Sequence, residues 1–130
     1  MNVKFIICGH GHFATGLLSA FTLLCGDNHQ FVALDFEAGD SFDNLVKAME
    51  NHLDSQSDTV ICTDIKGGSP FKAAVLLKMK HHDIQVITGA NLAMLLNFAY
   101  PSRDFTTLGD LIEDTLQVST SSIENVDISI

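Results

Sequence analysis

Tryptophan is missing from this sequence, and tyrosine occurs once, at Tyr100. A flavin or nucleotide site built on stacked rings therefore has little material, since no such ring lies near the glycine-rich loops. Cations are scarce as well: 7 Lys and Arg stand against 16 Asp and Glu, a formal net charge of −9. Nucleic-acid binding needs a basic footprint, so that class is set aside. No apolar run reaches the roughly 18 residues of a membrane-spanning helix, so direct membrane insertion is not expected. The opening MNVKFIICGHG holds one lysine and too short an apolar core for a secretory signal. It reads as a first strand. Cysteine is limited to Cys8, Cys25 and Cys62, with no CxxC pair. An odd number in apolar settings predicts reduced, buried thiols in a cytoplasmic protein rather than a disulfide framework. Repeats, linkers and low-complexity stretches are also absent.

What is present is apolar and regularly spaced. With 46% hydrophobic residues in 130, the chain is expected to form a single domain over residues 1–130. A chain of this size buries roughly two thirds of its unfolded surface and needs no staples. VKFIIC (3–8) is β-rich and ends at Gly9. A helix is expected from Phe13 to Cys25, with Phe13, Leu17, Leu18, Phe21 and Leu24 on its apolar stripe and Gly26 as its stop. QFVALDF (30–36) is the next strand. Ser41 caps a helix carrying Phe42, Leu45, Val46, Met49 and Leu53. DTVICTD (58–64) is a third strand, followed by a helix with Ser69 as N-cap and Pro70 as its first residue. DIQVIT (83–88) is a fourth strand. Asn91 caps the helix LAMLLNFAY, stopped by Pro101, and Thr106 or Thr107 starts the last helix. The tail ENVDISI reads as one more short strand.

Strand–helix alternation with short connections implies an α/β fold, a mostly parallel doubly wound sheet in a three-layer sandwich. Four such units suggest the flavodoxin-like order 2-1-3-4, with the C-terminal tail as an antiparallel edge strand. Ligands of such sheets bind beyond the carboxyl ends of the strands, where the winding reverses. Here that crevice lies between strand 1, ending at Gly9-His10-Gly11, and strand 3, ending at Thr63-Asp64. A histidine and an aspartate thus converge at the place where this architecture builds sites.

The chemistry fits that pairing. A carboxylate bonded to Nδ1–H fixes the tautomer and leaves the Nε2 lone pair outward as a nucleophile. Glycines let backbone amides approach an anion, and two helix N-termini, near Phe13 and Ser69, are expected to face the crevice. Together these suit transient phosphorylation of a histidine, a reaction that asks mainly for alignment and charge stabilisation. Plainer readings stay open for each residue. His10 can be a loop histidine, Asp64 a turn cap, Ser69 a simple N-cap, and Gly67 and Gly68 a tight turn. Lys66 reads as a solvated side chain or as a phosphate counter-charge. His10 and His12 supply two metal ligands at most, too few for a stable site, so no metal and no cofactor are expected. His29, His52, His81 and His82 fall near element ends and read as solvent-exposed.

Three segments carry a resemblance. GHGHFATG (9–16), TDIKGGSPFKAA (63–74) and TGANLAMLL (88–96) resemble, in order, signatures of the mannose-family enzyme IIA proteins of the bacterial sugar phosphotransferase system. The similarity runs to about residue 125. It implies that phospho-HPr, the phosphocarrier, phosphorylates His10 at Nε2, and that the group then passes to a cognate EIIB. It implies membrane partners EIIC and EIID further on. Asp64 would orient His10, Ser69 would contact the phosphoryl group, and Gly11, His12, Phe13, Gly67 and Gly68 would line its cradle. A homodimer that exchanges the C-terminal strand is also implied. Lys66 departs from the apolar or aromatic residue common in the family, and Ala93 from a common proline. Without a fused EIIB segment, the chain reads as a free-standing EIIA. Two alternatives stand beside this: the phosphoryl-transfer subunit of a dihydroxyacetone kinase, and a non-catalytic flavodoxin-like binding module. Phe13 and Phe71 are candidates for partner recognition.

Overall fold

A computed structural model describes residues 1–129. Residues 2–90 form one compact unit and residues 91–129, with Met1, another. The first unit holds β1 (Val3–His10), α1 (Phe13–Cys25), β2 (Phe31–Phe36), α2 (Phe42–Asn51), β3 (Asp58–Thr63), α3 (Gly68–Lys80) and β4 (Gln85–Thr88). The strands make one sheet in the order β2-β1-β3-β4, every pair parallel. This is the flavodoxin-like order expected from the spacing of the apolar runs.

Strand alternation sorts the core into two faces. Phe5 of β1 stacks on Phe31 of β2, with ring centroids 4.8 Å apart, and Phe31 lies 5.0 Å from Phe21 of α1. Ile6 and Cys8 point the other way, into a cluster with Leu45, Val46 and Met49 of α2 and Ala73, Ala74 and Leu77 of α3. Helices thus cover both faces, α1 on one side, α2 and α3 on the other. Burying side chains of this size stabilises by about 1.5–3 kcal/mol each. Register places Ile7 beside Cys62 and Cys8 beside Thr63. Cys8 and Cys62 therefore lie on opposite faces and cannot pair. Both are buried, whereas Cys25 is half-buried rather than fully inside.

Local signals account for most element ends. The Ser41 hydroxyl accepts from Asn44 N–H at 3.3 Å and opens α2. Three details differ from the sequence reading. β1 runs on through His10, because its ladder with β2 continues to the pair His10–Phe36. In α1, Ala14 and Phe21 are the buried residues, while Leu24 is 63% exposed. At α3 the cap is Gly67, not Ser69, and Pro70 stands inside the first turn. Positive φ at Gly67 and Gly68 turns the chain into the helix earlier than a serine cap would.

The second unit pairs α4 (Leu92–Ala99) with α5 (Leu108–Ser121). Asn91 Oδ1 accepts from Met94 N–H at 2.9 Å, and Thr107 Oγ1 from Asp110 N–H at 3.2 Å. Buried Asn97 donates to Asp114 Oδ2 and Thr115 Oγ1 at 2.9 and 2.8 Å. One amide thereby fixes how the two helices align. The expected antiparallel edge strand is not formed within the chain: residues 123–129 carry no ladder, and the sheet has four strands. A strand is defined by a bonded neighbour, and the tail has none in one copy. Ile123, Val126 and Ile128 are exposed. Ile130 lies outside the described residues. Among the described residues, no helix is long and apolar enough to cross a membrane.

Candidate functional site

His10 is the last residue of β1 and lies beyond the buried Ile6 and Cys8 on the face that α2 and α3 cover. Asp64 follows β3 directly, and its N–H still bonds Cys8 O at 3.2 Å, so the β1–β3 ladder delivers both residues to one place. The Asp64 Oδ2 oxygen lies 2.8 Å from His10 Nδ1 and accepts the His10 backbone N–H at 2.9 Å. Its Oδ1 accepts the Ile65 N–H at 2.9 Å. Partial burial pushes the Asp64 carboxyl up. The bonds from the His10 N–H, the His10 ring and the Ile65 N–H outweigh this and hold it below the usual carboxylate range. Asp64 is therefore an anion that takes the Nδ1 proton as its partner. The ring is oriented, and the Nε2 lone pair is directed away from Asp64.

Nε2 faces the start of α3. A Cβ added at Gly68 would lie 3.1 Å from Nε2 and 2.9 Å from Cε1, so only glycine allows this approach. Its φ of +77° excludes other side chains for a second reason. Phe36 closes another side, its ring edge-on to the imidazole at 6.4 Å. The His10 side chain nonetheless stays 47% exposed, against 11% for Asp64. A shielded carboxylate thus holds an accessible ring. Ser69 is half-buried in the first turn of α3, and Gly67 precedes it with φ +89°.

The other side of the ring is arranged differently. Gly11 donates its N–H to Phe36 O at 2.7 Å, so this amide is committed to the fold. Thr15 donates N–H to Asp35 Oδ1 at 3.0 Å and its hydroxyl to Asp35 Oδ2 at 2.6 Å. A carboxylate from β2 thus occupies the α1 N-terminus where an anion was expected. His12 turns to the same strand, with Nδ1 3.3 Å from Asp35 Oδ2 and Nε2 3.1 Å from Glu37 Oε1. Burial pushes the Asp35 carboxyl up, but the Thr15 bonds and the His12 ring hold it below the usual range. Phe13 packs against Gly9, where an added Cβ would lie 2.6 Å from the Phe13 ring. It is half-buried, as is Phe71.

Sequence reasoning missed Asp35 and Glu37. The available signal was a carboxylate at the end of QFVALDF, since in the order 2-1-3-4 that strand end adjoins β1. Cys8, two residues from His10, is no rival nucleophile: burial, then Asp64 and Asp35, push its thiol up to about 12. Among the described residues, no group of three or more His, Cys, Asp or Glu is placed to hold a metal ion.

Comparison with known proteins gives the site a context. The family model for the PTS system fructose IIA component, EIIA-man, matches residues 4–116. The sorbose-specific EIIA component of Klebsiella pneumoniae is 36% identical over 97 residues, covering 72% of this chain and 70% of that protein. The mannose-specific EIIAB component of Escherichia coli K12 is 28% identical over 115 residues, covering 86% of this chain. The chain spans 36% of the length of that longer relative. In structure, the phosphotransferase system component EIIA from Streptococcus agalactiae superposes with a TM-score of 0.87 at 30% identity, covering 95% of this chain and 96% of that one. A match of this extent to the family model, joined by a relative 36% identical and a solved structure 30% identical, places the chain in the EIIA-man family of sugar phosphotransferase system components.

Proposed function

We propose that this chain carries a phosphoryl group on His10 Nε2, taking it from phospho-HPr and passing it to a cognate EIIB. The Nε2 lone pair forms the new N–P bond as the N–P bond of the donor histidine breaks. The donor nitrogen keeps the electron pair of the broken bond. Asp64 holds the Nδ1 proton throughout and stabilises the positive charge that develops on the ring. In this reading Gly68, against Nε2, joins Gly67, Ser69, Gly11, His12 and Phe13 in receiving the phosphoryl group. The observation that carries this reading is the 2.8 Å contact from Asp64 Oδ2 to Nδ1 on a ring whose other nitrogen faces a bare glycine.

The setting follows from the same reading. The protein acts in the cytoplasm beside the membrane components EIIC and EIID without entering the bilayer itself. It works as a homodimer, and the exposed Val126 and Ile128, two residues apart in the tail, suit a strand added to a second copy. Incubation with phosphoenolpyruvate, enzyme I and HPr should add one acid-labile phosphoryl group per chain. His10→Ala should remove it entirely. Normal labelling of that variant would defeat the proposal.

A further inference from the structure

The two sides of His10 differ in what they have left to offer an anion. On the β1–β2 side, the Gly11 amide is spent on Phe36 O, and the Thr15 amide and hydroxyl on Asp35. The His12 ring lies between Asp35 and Glu37. That side presents two carboxylates, and Asp64 adds a third on the opposite rim. A phosphoryl group on Nε2 brings further negative charge into this acidic surround, which a cation on the other side would offset.

The β3–α3 loop holds one. Asp64 binds Nδ1, Gly68 lies against Nε2, and Lys66 is the middle residue of the segment joining them. Lys66 is solvent-exposed and makes no hydrogen bond or ion pair with the described residues. Lys78, by contrast, donates its ammonium to Ile84 O at 2.7 Å and is part of the fold. The neighbour of Lys66 toward α3 is Gly67, which has no side chain and has open space where a Cβ would stand. An ammonium on a flexible four-carbon stem is suited to follow a phosphoryl group through transfer.

We infer that Lys66 is a catalytic residue of this chain: its ammonium contacts the phosphoryl oxygens as the group arrives on His10 Nε2. The inference rests on the phosphoryl-carrier reading, and it makes charge compensation one-sided, drawn from the β3–α3 loop. In the transfer the donor N–P bond breaks, the Nε2–P bond forms, and Lys66 keeps its proton while neutralising oxygen charge.

Phosphoramidate tests this without a protein donor. Its nitrogen leaves as ammonia after taking a proton from water, and the phosphoryl group moves to His10. Labelling of Lys66→Met should be about 5- to 10-fold slower than wild type, as expected for loss of one semi-exposed charge contact. Lys66→Arg should restore the rate to within about twofold. Added salt should slow the wild type more than Lys66→Met, a response that a merely structural lysine would not give. Wild-type rate and salt dependence in Lys66→Met would overturn the inference while leaving the carrier reading intact. Slowing with phospho-HPr alone, and not with phosphoramidate, would also overturn it and make Lys66 a docking residue. Failure of the wild type to label by either donor would instead defeat the carrier reading.

Discussion

The two loops that flank the imidazole use similar residues for different ends. The β1–α1 loop carries the conspicuous motif, with two histidines and three glycines in GHGHFATG. Apart from His10, several of its polar groups turn to β2 and the residue after it: Gly11 to Phe36 O, Thr15 to Asp35, and His12 to Asp35 and Glu37. The β3–α3 loop fastens the ring through Asp64 and leaves Lys66 without a partner among the described residues. A polar group satisfied inside the fold is structural, and one left unpaired at the carboxyl end of a sheet is available for chemistry. On that criterion the proposed carrier reading draws its nucleophile from the first loop and the groups that act on it from the second.

Breaking the second loop should have the largest effects. Asp64→Asn removes the acceptor that selects the tautomer, and phosphoryl transfer should fall by about 10²- to 10⁴-fold. Single-turnover transfer from phospho-HPr measures this, and an unchanged rate would refute the orienting role. Gly68→Ala comes next. Its methyl group would sit 3.1 Å from Nε2, in a backbone conformation that suits glycine. A displaced ring should cost about 10²-fold in transfer, read in the same assay. It should also lower stability by about 1–2 kcal/mol in urea unfolding.

Changes in the first loop should alter stability instead. Asp35→Asn weakens the anchor of α1 by about 1 kcal/mol, the size of a lost helix cap. The folded Asp35 carboxyl is held below its unfolded range, so its stabilisation is fully present above the unfolded value. It is lost as pH falls through the folded value. The gap between wild type and Asp35→Asn in urea titrations should therefore be constant near neutrality and close below about pH 4. A gap that widened in acid would contradict this assignment. Glu37→Gln should have the smallest effect, changing transfer by less than about threefold, because its contact with His12 is exposed. A large loss there would mean that the first loop, too, acts on the phosphoryl group.

Local signals made much of the fold legible. Ser41, Asn91 and Thr107 cap their helices as their positions suggested, because each cap bond reaches only the amide three residues on. The His10–Asp64 pair followed from strand order, which short connections and alternation constrain. Asp35 was legible only as a carboxylate at a strand end beside β1; what it and Glu37 hold depends on the β1–β2 register, which puts Gly9 beside Asp35. Ser69 was misplaced as a cap because two left-handed glycines in succession shift the helix start. The tail strand was read from its alternating residues, but a ladder needs a neighbour that one chain does not provide.

The central claim concerns one nitrogen atom. Heteronuclear NMR on phosphorylated protein with ¹⁵N-labelled histidine reports which ring nitrogen bonds to phosphorus and which keeps its proton. Phosphorus coupled to Nε2 of His10, with Nδ1 still protonated, is the predicted result. Phosphorus on Nδ1, or on any residue other than His10, would contradict it.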